Sequence, residues 1–167
     1  MRALSFLLGC CGAVLALLAW QGVAALLPIG TDGASMAVRL GQGAAALLPG
    51  AGVLALMVAV QMGARFILGV FDPLAGQETR FLRRNQRIIT NTVEQLAIFA
   101  PSLLALAAGA PGARMGEVAA LGVVFALARL AFWAGYLAAP VTRAPGMAAT
   151  IVTSVGTLLA ASWLWLA

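Results

Sequence analysis

Five long apolar stretches, each closed by proline, glycine and a few polar residues, constrain this chain more than any other feature. A helix that crosses a bilayer needs about 20 mostly apolar residues. The stretches Ala3 to Leu27, Gly43 to Val70, Arg80 to Ala108, Met115 to Ala139 and Pro145 to Leu166 all reach that length. Pro28, Asp72-Pro73, Gly109-Ala110-Pro111-Gly112 and Pro140 supply the breaks, and Pro49-Gly50 interrupts the second stretch near its start. The runs are too long, and too rich in Ala and Leu, for the alternating strands of a barrel. The sequence therefore predicts an all-α integral membrane protein of five spans. Composition agrees: 63% of residues are hydrophobic and 9% charged, where about a quarter is usual in a soluble domain. Trp163 and Trp165 stand where interfacial anchors are expected.

The net charge of +5 comes with no lysine and no histidine. It is not a nucleic-acid signature, because no basic patch is interleaved with aromatics and the arginines cluster at span ends, where snorkelling and orientation account for them. The lack of histidine argues against most zinc and haem sites, and no metal site is predicted. With a cytoplasmic N-terminus, that side holds Arg2, Arg65, Arg80, Arg83, Arg84, Arg87 and Arg143. The other side holds Arg39 and Arg114, and Arg129 lies within the membrane. The positive-inside bias thus places the Arg65 to Arg87 connection in the cytoplasm.

The first stretch carries adjacent cysteines, Cys10 and Cys11. Such pairs rarely bridge, and in a span they act as small hydrophobes. Leu7-Leu8-Gly9-Cys10 resembles a lipoprotein cleavage site with too short a preceding run. Arg2 followed by an apolar run also fits a cleavable signal peptide. The run extends to about Leu27 without a clean cleavage site, which favours a retained span.

A ladder of polar residues runs into the third span: Arg84, Arg87, Asn91 and Glu94. At about 100° per residue, the four fall within an arc of about 80° on one helix face. An ionisable residue inside a bilayer is costly unless paired or wet, so such a residue is a functional candidate by default. The alternative is anchoring by the two arginines and structural bonding by Asn91 and Glu94. A second stripe, Arg129, Phe132, Tyr136 and, beyond Pro140, Arg143, also shares one face, within about 60°. At 1.5 Å per residue, Arg129 lies about 15 Å and Glu94 about 10 Å below the cytoplasmic end of their helices. The matched depths predict that Arg129 and Glu94 are charge partners, within a subunit or across a subunit interface, either as a packing clamp or as part of a site whose several arginines favour an anionic guest.

These residues resemble the family of membrane-associated proteins in eicosanoid and glutathione metabolism, MAPEG. The first family pattern stands as Arg87-Ile-Ile-Thr-Asn91-Thr-Val-Glu94, and the later one as Ala128-Arg129-Leu130-Ala131-Phe132-Trp133-Ala134-Gly135-Tyr136 followed by Arg143. Gly63-Ala64-Arg65-Phe66 is similar to the end of the family's first span. The resemblance covers about residues 43 to 167. It implies a four-helix membrane domain over 43–167, preceded by an extra transmembrane helix and loop over 1–42. It also implies a homotrimer with sites between subunits, and bent glutathione as co-substrate. By that resemblance Arg87, Asn91 and Glu94 hold the charged parts of glutathione, Arg129, Phe132 and Tyr136 complete the pocket, Arg65 contributes from a neighbour, and Arg143 is the catalytic residue that stabilises the thiolate.

Three positions depart from the pattern. Phe132 stands where leukotriene- and prostaglandin-forming members carry tyrosine, Gln95 where many carry an aromatic residue, and Ala144 where the prostaglandin-forming member carries serine. Pro140 falls between the halves of the second motif. An eicosanoid-specific activity is not expected. The expected function is a membrane-bound glutathione-dependent transferase or peroxidase acting on small lipophilic electrophiles delivered from the lipid bilayer. Two other classes stay open: a non-catalytic family member that binds ligand or scaffolds, and a small proton-coupled transporter exchanging protons at Glu94. The transporter is disfavoured because neighbouring arginines hold a carboxylate ionised. The lysine-free, Ala-, Gly- and Arg-rich composition points to a GC-rich bacterial genome and an inner-membrane location.

Overall fold

A computed structural model describes residues 2–27, 33–72, 76–139 and 141–166. Pro28, Pro73 and Pro140, read from the sequence as span ends, lie outside the described residues. Six α-helices account for the described chain: α1 Arg2–Leu26, α2 Met36–Ala46, α3 Leu48–Leu68, α4 Arg80–Gly109, α5 Met115–Ala138 and α6 Ala144–Leu166. A 3-10 turn, Gly112–Arg114, leads into α5. Among the described residues five segments are long and apolar enough to cross a membrane, because α2 and α3 together make one segment, Met36–Leu68. The fold class expected from the sequence is the one found.

The second span begins earlier than the apolar pattern indicates. Ser35 caps α2, its hydroxyl accepting from the Val38 amide at 3.5 Å, so the helix starts seven residues before Gly43 and includes Arg39. That arginine reaches across to the far end of α4, donating to the Ala108 carbonyl at 2.8 Å and to its own Ala34 carbonyl at 2.6 Å. The break between α2 and α3 falls at Leu47, and Pro49 occupies the first turn of α3, where a missing amide costs nothing. Helix α3 closes on Gly69, whose φ of 66° is the left-handed conformation that favours glycine. Thr79 caps α4 through a 3.3 Å bond from the Leu82 amide.

Helices α4 and α5 form the centre of the bundle. Their rings stack at Phe99 and Phe125, with centroids 4.4 Å apart, among buried Leu103, Ala107, Met115 and Val118. Helices α2 and α3 pack on one side of this pair, and α1 and α6 on another. The backbones approach very closely at several glycines, among them Gly12, Gly122 and Gly146. A Cβ on Gly122 would lie 1.8 Å from the Ala46 carbonyl oxygen, and one on Gly146 would lie 2.2 Å from the Phe132 amide nitrogen. Small residues at helix crossings are how membrane helices gain packing contact where no hydrophobic drive separates helix from lipid. The outward faces carry Phe6, Leu15, Phe66, Ile67 and Leu159, all exposed, as expected of surface that meets acyl chains.

Chain direction alternates between spans, so the starts of α1, α4 and α6 share one end of the bundle with the ends of α3 and α5. Cross-links at both ends agree: Arg84 donates to the Leu137 carbonyl at 3.3 Å, and at the opposite end Trp165 donates to the Ala105 carbonyl at 3.0 Å.

Candidate functional site

The centre of the site is Arg129, a charged residue with no solvent exposure in the middle of an apolar helix. A buried guanidinium must find acceptors or destabilise the fold by several kcal/mol. Arg129 finds them on α4. Its Nε and Nη2 donate to the Thr92 hydroxyl at 3.2 and 2.7 Å, and Nη2 also donates to Asn91 Oδ1 at 3.2 Å. The Thr92 hydroxyl proton goes to the Ile88 carbonyl one turn back, at 2.8 Å. Both hydroxyl lone pairs are therefore left for the guanidinium. Nη1 is buried and has no partner among the described residues.

Two lines of contact leave Arg129. On the α4 side, Asn91 turns its amide to Glu94, Nδ2 donating to Oε2 at 3.2 Å. On the α5 side, the guanidinium carbon sits 4.2 Å over the Phe132 ring, which meets Tyr136 edge-on at 5.5 Å. Tyr136 in turn lies under the Arg143 guanidinium at 5.0 Å. An unbroken series thus runs from Glu94 through Asn91, Arg129, Phe132 and Tyr136 to Arg143. The alternation of cation and ring is favourable, because a guanidinium over an aromatic face gains up to about 2 kcal/mol when desolvated.

The structure therefore brings together six of the residues singled out in the sequence. Within the chain, Arg129 and Glu94 form no ion pair with each other among the described residues; Asn91 stands between them. Glu94 lies on the exposed side of α4, whereas Arg129 is enclosed. Arg87 is exposed and has no hydrogen bond or ion pair with the series among the described residues, and Arg65 is held in an ion pair with Glu78, just before α4.

A second buried polar cluster supports the first, and the sequence reading did not single it out. Asn85 donates to the Met57 carbonyl at 3.2 Å and to Gln61 Oε1 at 3.0 Å, and accepts from the Trp133 indole at 2.7 Å. Gln61 donates to the Leu82 carbonyl at 3.2 Å. This cluster ties α3, α4 and α5 together, one turn from Arg129 along α5 and two turns from Thr92 along α4, and Trp133 neighbours Phe132 in sequence. The available signal was Asn85 and Thr92, seven residues apart and so on one face of α4, along with Ile88, Phe99 and Leu103. Polar residues on an otherwise apolar face are the ones that need partners inside the bundle.

In chemical terms the site offers two cations at the ends of an aromatic stack, one carboxylate and one carboxamide on a neighbouring helix, and a phenol whose oxygen takes no partner among the described residues. Together these groups suit a zwitterionic, partly anionic guest. Among the described residues no group of three or more His, Cys, Asp or Glu could hold a metal ion. A model of the MAPEG family matches residues 42–163 of the chain. No curated protein and no solved structure matches it.

Proposed function

This chain belongs to the MAPEG family, and from that premise we propose that it is a membrane-bound glutathione-dependent transferase or peroxidase acting on lipophilic electrophiles. The observation that carries the reading is the continuous series from Glu94 to Arg143, which joins the two family motifs into one site. Glutathione presents a γ-glutamyl ammonium, two carboxylates and a thiol. In the proposed complex Glu94 takes the ammonium, Arg87 and Arg129 take carboxylates, and Asn91 orients both. Arg143 stands at the other end of the stack, beside the phenol of Tyr136, and holds the sulfur as thiolate.

The thiol loses its proton to water, and the sulfur lone pair then attacks the electrophilic carbon. In a substitution, the leaving group departs with its bonding pair. A peroxide substrate instead has its O–O bond broken as the thiolate bonds to the terminal oxygen, giving a sulfenic acid. The other oxygen leaves with the bonding pair and takes a proton from water. The thiol of a second glutathione then displaces water from the sulfenic sulfur to form the disulfide. A nearby guanidinium favours the charged form of a thiol. Lowering its pKa from about 8.5 to about 6.5 needs about 2.7 kcal/mol of differential interaction, a reasonable demand on one or two arginines in a low-dielectric site.

The exposed polar side of α4, with Arg87 and Glu94 facing outward, supports an assembly in which a neighbouring subunit covers it. We take this to be the homotrimer the resemblance implies, with Arg65 contributing to an adjacent site. The bilayer supplies the lipophilic substrate, and a bacterial inner membrane is the proposed location. One observation favours a second reading, a non-catalytic ligand-binding member: Phe132 is buried beneath Arg129 and offers no hydroxyl where several catalysing relatives carry one. Equilibrium binding of glutathione to detergent-purified protein, followed by turnover of a lipophilic electrophile, separates the readings. Binding with turnover supports the enzyme, and binding alone supports the ligand-binding member.

A further inference from the structure

Helix α1 lies outside the stretch that matches the family, yet it closes a cavity of about 390 Å³ with α5 and α6. That volume is in the range of small-molecule sites. The cavity lies at the bundle end opposite Arg143, on the far side of α5 from the Arg129 bonds. Its wall along α6 runs from Val152 to Leu164, about 18 Å at 1.5 Å per residue. Leu17 on α1, Leu121 and Val124 on α5 and Leu106 on α4 face it. The two threonines in the wall are internally satisfied: Thr153 donates to the Ala149 carbonyl at 2.8 Å and Thr157 to the Thr153 carbonyl at 2.7 Å. The wall therefore presents hydrocarbon to its contents, and a long apolar cleft of this kind takes a chain rather than water.

The mouth is built differently. Arg114 and Glu117 line it and are paired, Nε donating to both carboxylate oxygens at 3.1 Å and Nη2 to Oε2 at 2.5 Å. Both remain partly exposed, at 59% and 36% of their side chains. Nη1 of Arg114 takes no partner among the described residues. The Trp20 indole donates to the Glu117 carbonyl at 3.1 Å, fixing α1 to this rim, and Trp163 stands at the same end. Paired tryptophans mark the headgroup depth of a bilayer. The mouth thus offers one cation with a free donor edge and one carboxylate, with no net charge between them.

We propose that this cleft is a specific site for a phospholipid with a zwitterionic, ammonium-bearing headgroup, one acyl chain lying between α1 and α6. The phosphate meets Nη1 of Arg114 without breaking the existing pair, and the ammonium meets Glu117. An anionic headgroup satisfies only the first of these contacts and places its charge beside the carboxylate.

The test is native mass spectrometry of the full chain after equilibration with equal amounts of phosphatidylethanolamine and phosphatidylglycerol of the same acyl chains. One phosphatidylethanolamine per chain should survive activation that strips surrounding lipid, at least tenfold over phosphatidylglycerol. Gly156 faces the cleft, and a Cβ there meets nothing within 4 Å, so Gly156→Phe fills the cleft from α6 and should lower retention at least tenfold. Leu17→Trp narrows it from α1 and should act in the same direction if the first variant fails to fold. Glu117→Gln should keep the retained lipid and level the two headgroups. Equal retention by wild type and both cleft-filling variants overturns the proposal, as does equal retention of the two lipids by wild type. A change in oligomeric mass in place of lost lipid shows a second copy in the cleft and also overturns it.

Discussion

Arg129 and Thr92 are joined by two hydrogen bonds, at 3.2 and 2.7 Å, from one guanidinium to one hydroxyl inside the membrane-spanning bundle. The hydroxyl can serve twice only because its own proton is committed to the Ile88 carbonyl. Thr92 thereby sets where Arg129 sits, and through Arg129 where Phe132 and Tyr136 stack.

Removing that hydroxyl leaves the buried cation with Asn91 Oδ1 as its remaining acceptor among the described residues. Hydrogen bonds to charged groups contribute about 1.5–3 kcal/mol each, so Thr92→Val should lower the thermal midpoint in detergent by several degrees. Thr92→Ser keeps the oxygen and should stay near wild type. Equal loss in both variants would mean the threonine methyl, rather than its hydroxyl, matters.

Glu94 should behave in the opposite way. Reading the sequence alone, its loss strands Arg129 and costs about 3–5 kcal/mol, the usual penalty for breaking a buried pair. In the structure Arg129 is held by Thr92 and Asn91, and Glu94 is one step removed on an exposed face. Glu94→Gln should therefore cost less than about 1 kcal/mol in stability while weakening ligand binding. A drop in midpoint as large as that of Thr92→Val would show a direct dependence of Arg129 on the carboxylate.

Gly146 links the packing of α6 to the site. A Cβ there would meet the Phe132 backbone at 2.2 Å, and overpacking of this kind costs about 1–3 kcal/mol or more. Gly146→Ala should lower stability and disturb the stack above Arg129, reducing glutathione binding as well. Gly156→Ala adds the same methyl where nothing lies within 4 Å and should leave both measurements unchanged.

The five spans and the two polar stripes were legible because helical periodicity and apolar length are local properties of the chain. The stacking order Arg129, Phe132, Tyr136, Arg143 follows from spacing on one face, although the turn before α6 is needed to return Arg143 to that face. The Arg129 acceptor was less legible. Depth on two helices pointed to Glu94, but the rotation of α4 against α5 turns Thr92 and Asn91 inward and leaves Glu94 outward, and rotation is a tertiary property. The start of α2 was missed for a related reason. Its first turns carry Ser35 and Arg39, which look like loop until the arginine is seen to cap the end of α4. The cluster of Gln61, Asn85 and Trp133 draws on three helices that no spacing rule relates.

Arg143 and Arg87 should fail in different ways. Arg143 stacks over Tyr136; if it acts on sulfur as proposed, Arg143→Ala should abolish thiolate formation yet leave glutathione affinity within about tenfold, or about 1.4 kcal/mol. Arg87→Ala should weaken affinity first. Identical effects of the two substitutions on affinity and on thiolate would remove the distinction between the ends of the site.

The most direct measurement is the ultraviolet absorbance of the thiolate, titrated with pH, for glutathione bound to wild-type protein purified in detergent. The account predicts saturable binding at millimolar glutathione or below and a bound thiol ionising well under its free value of about 8.5, with the shift lost in Arg143→Ala. Wild-type protein that binds no glutathione at millimolar concentration, or binds it with an unshifted thiol, would contradict the assignment of this site to thiol activation.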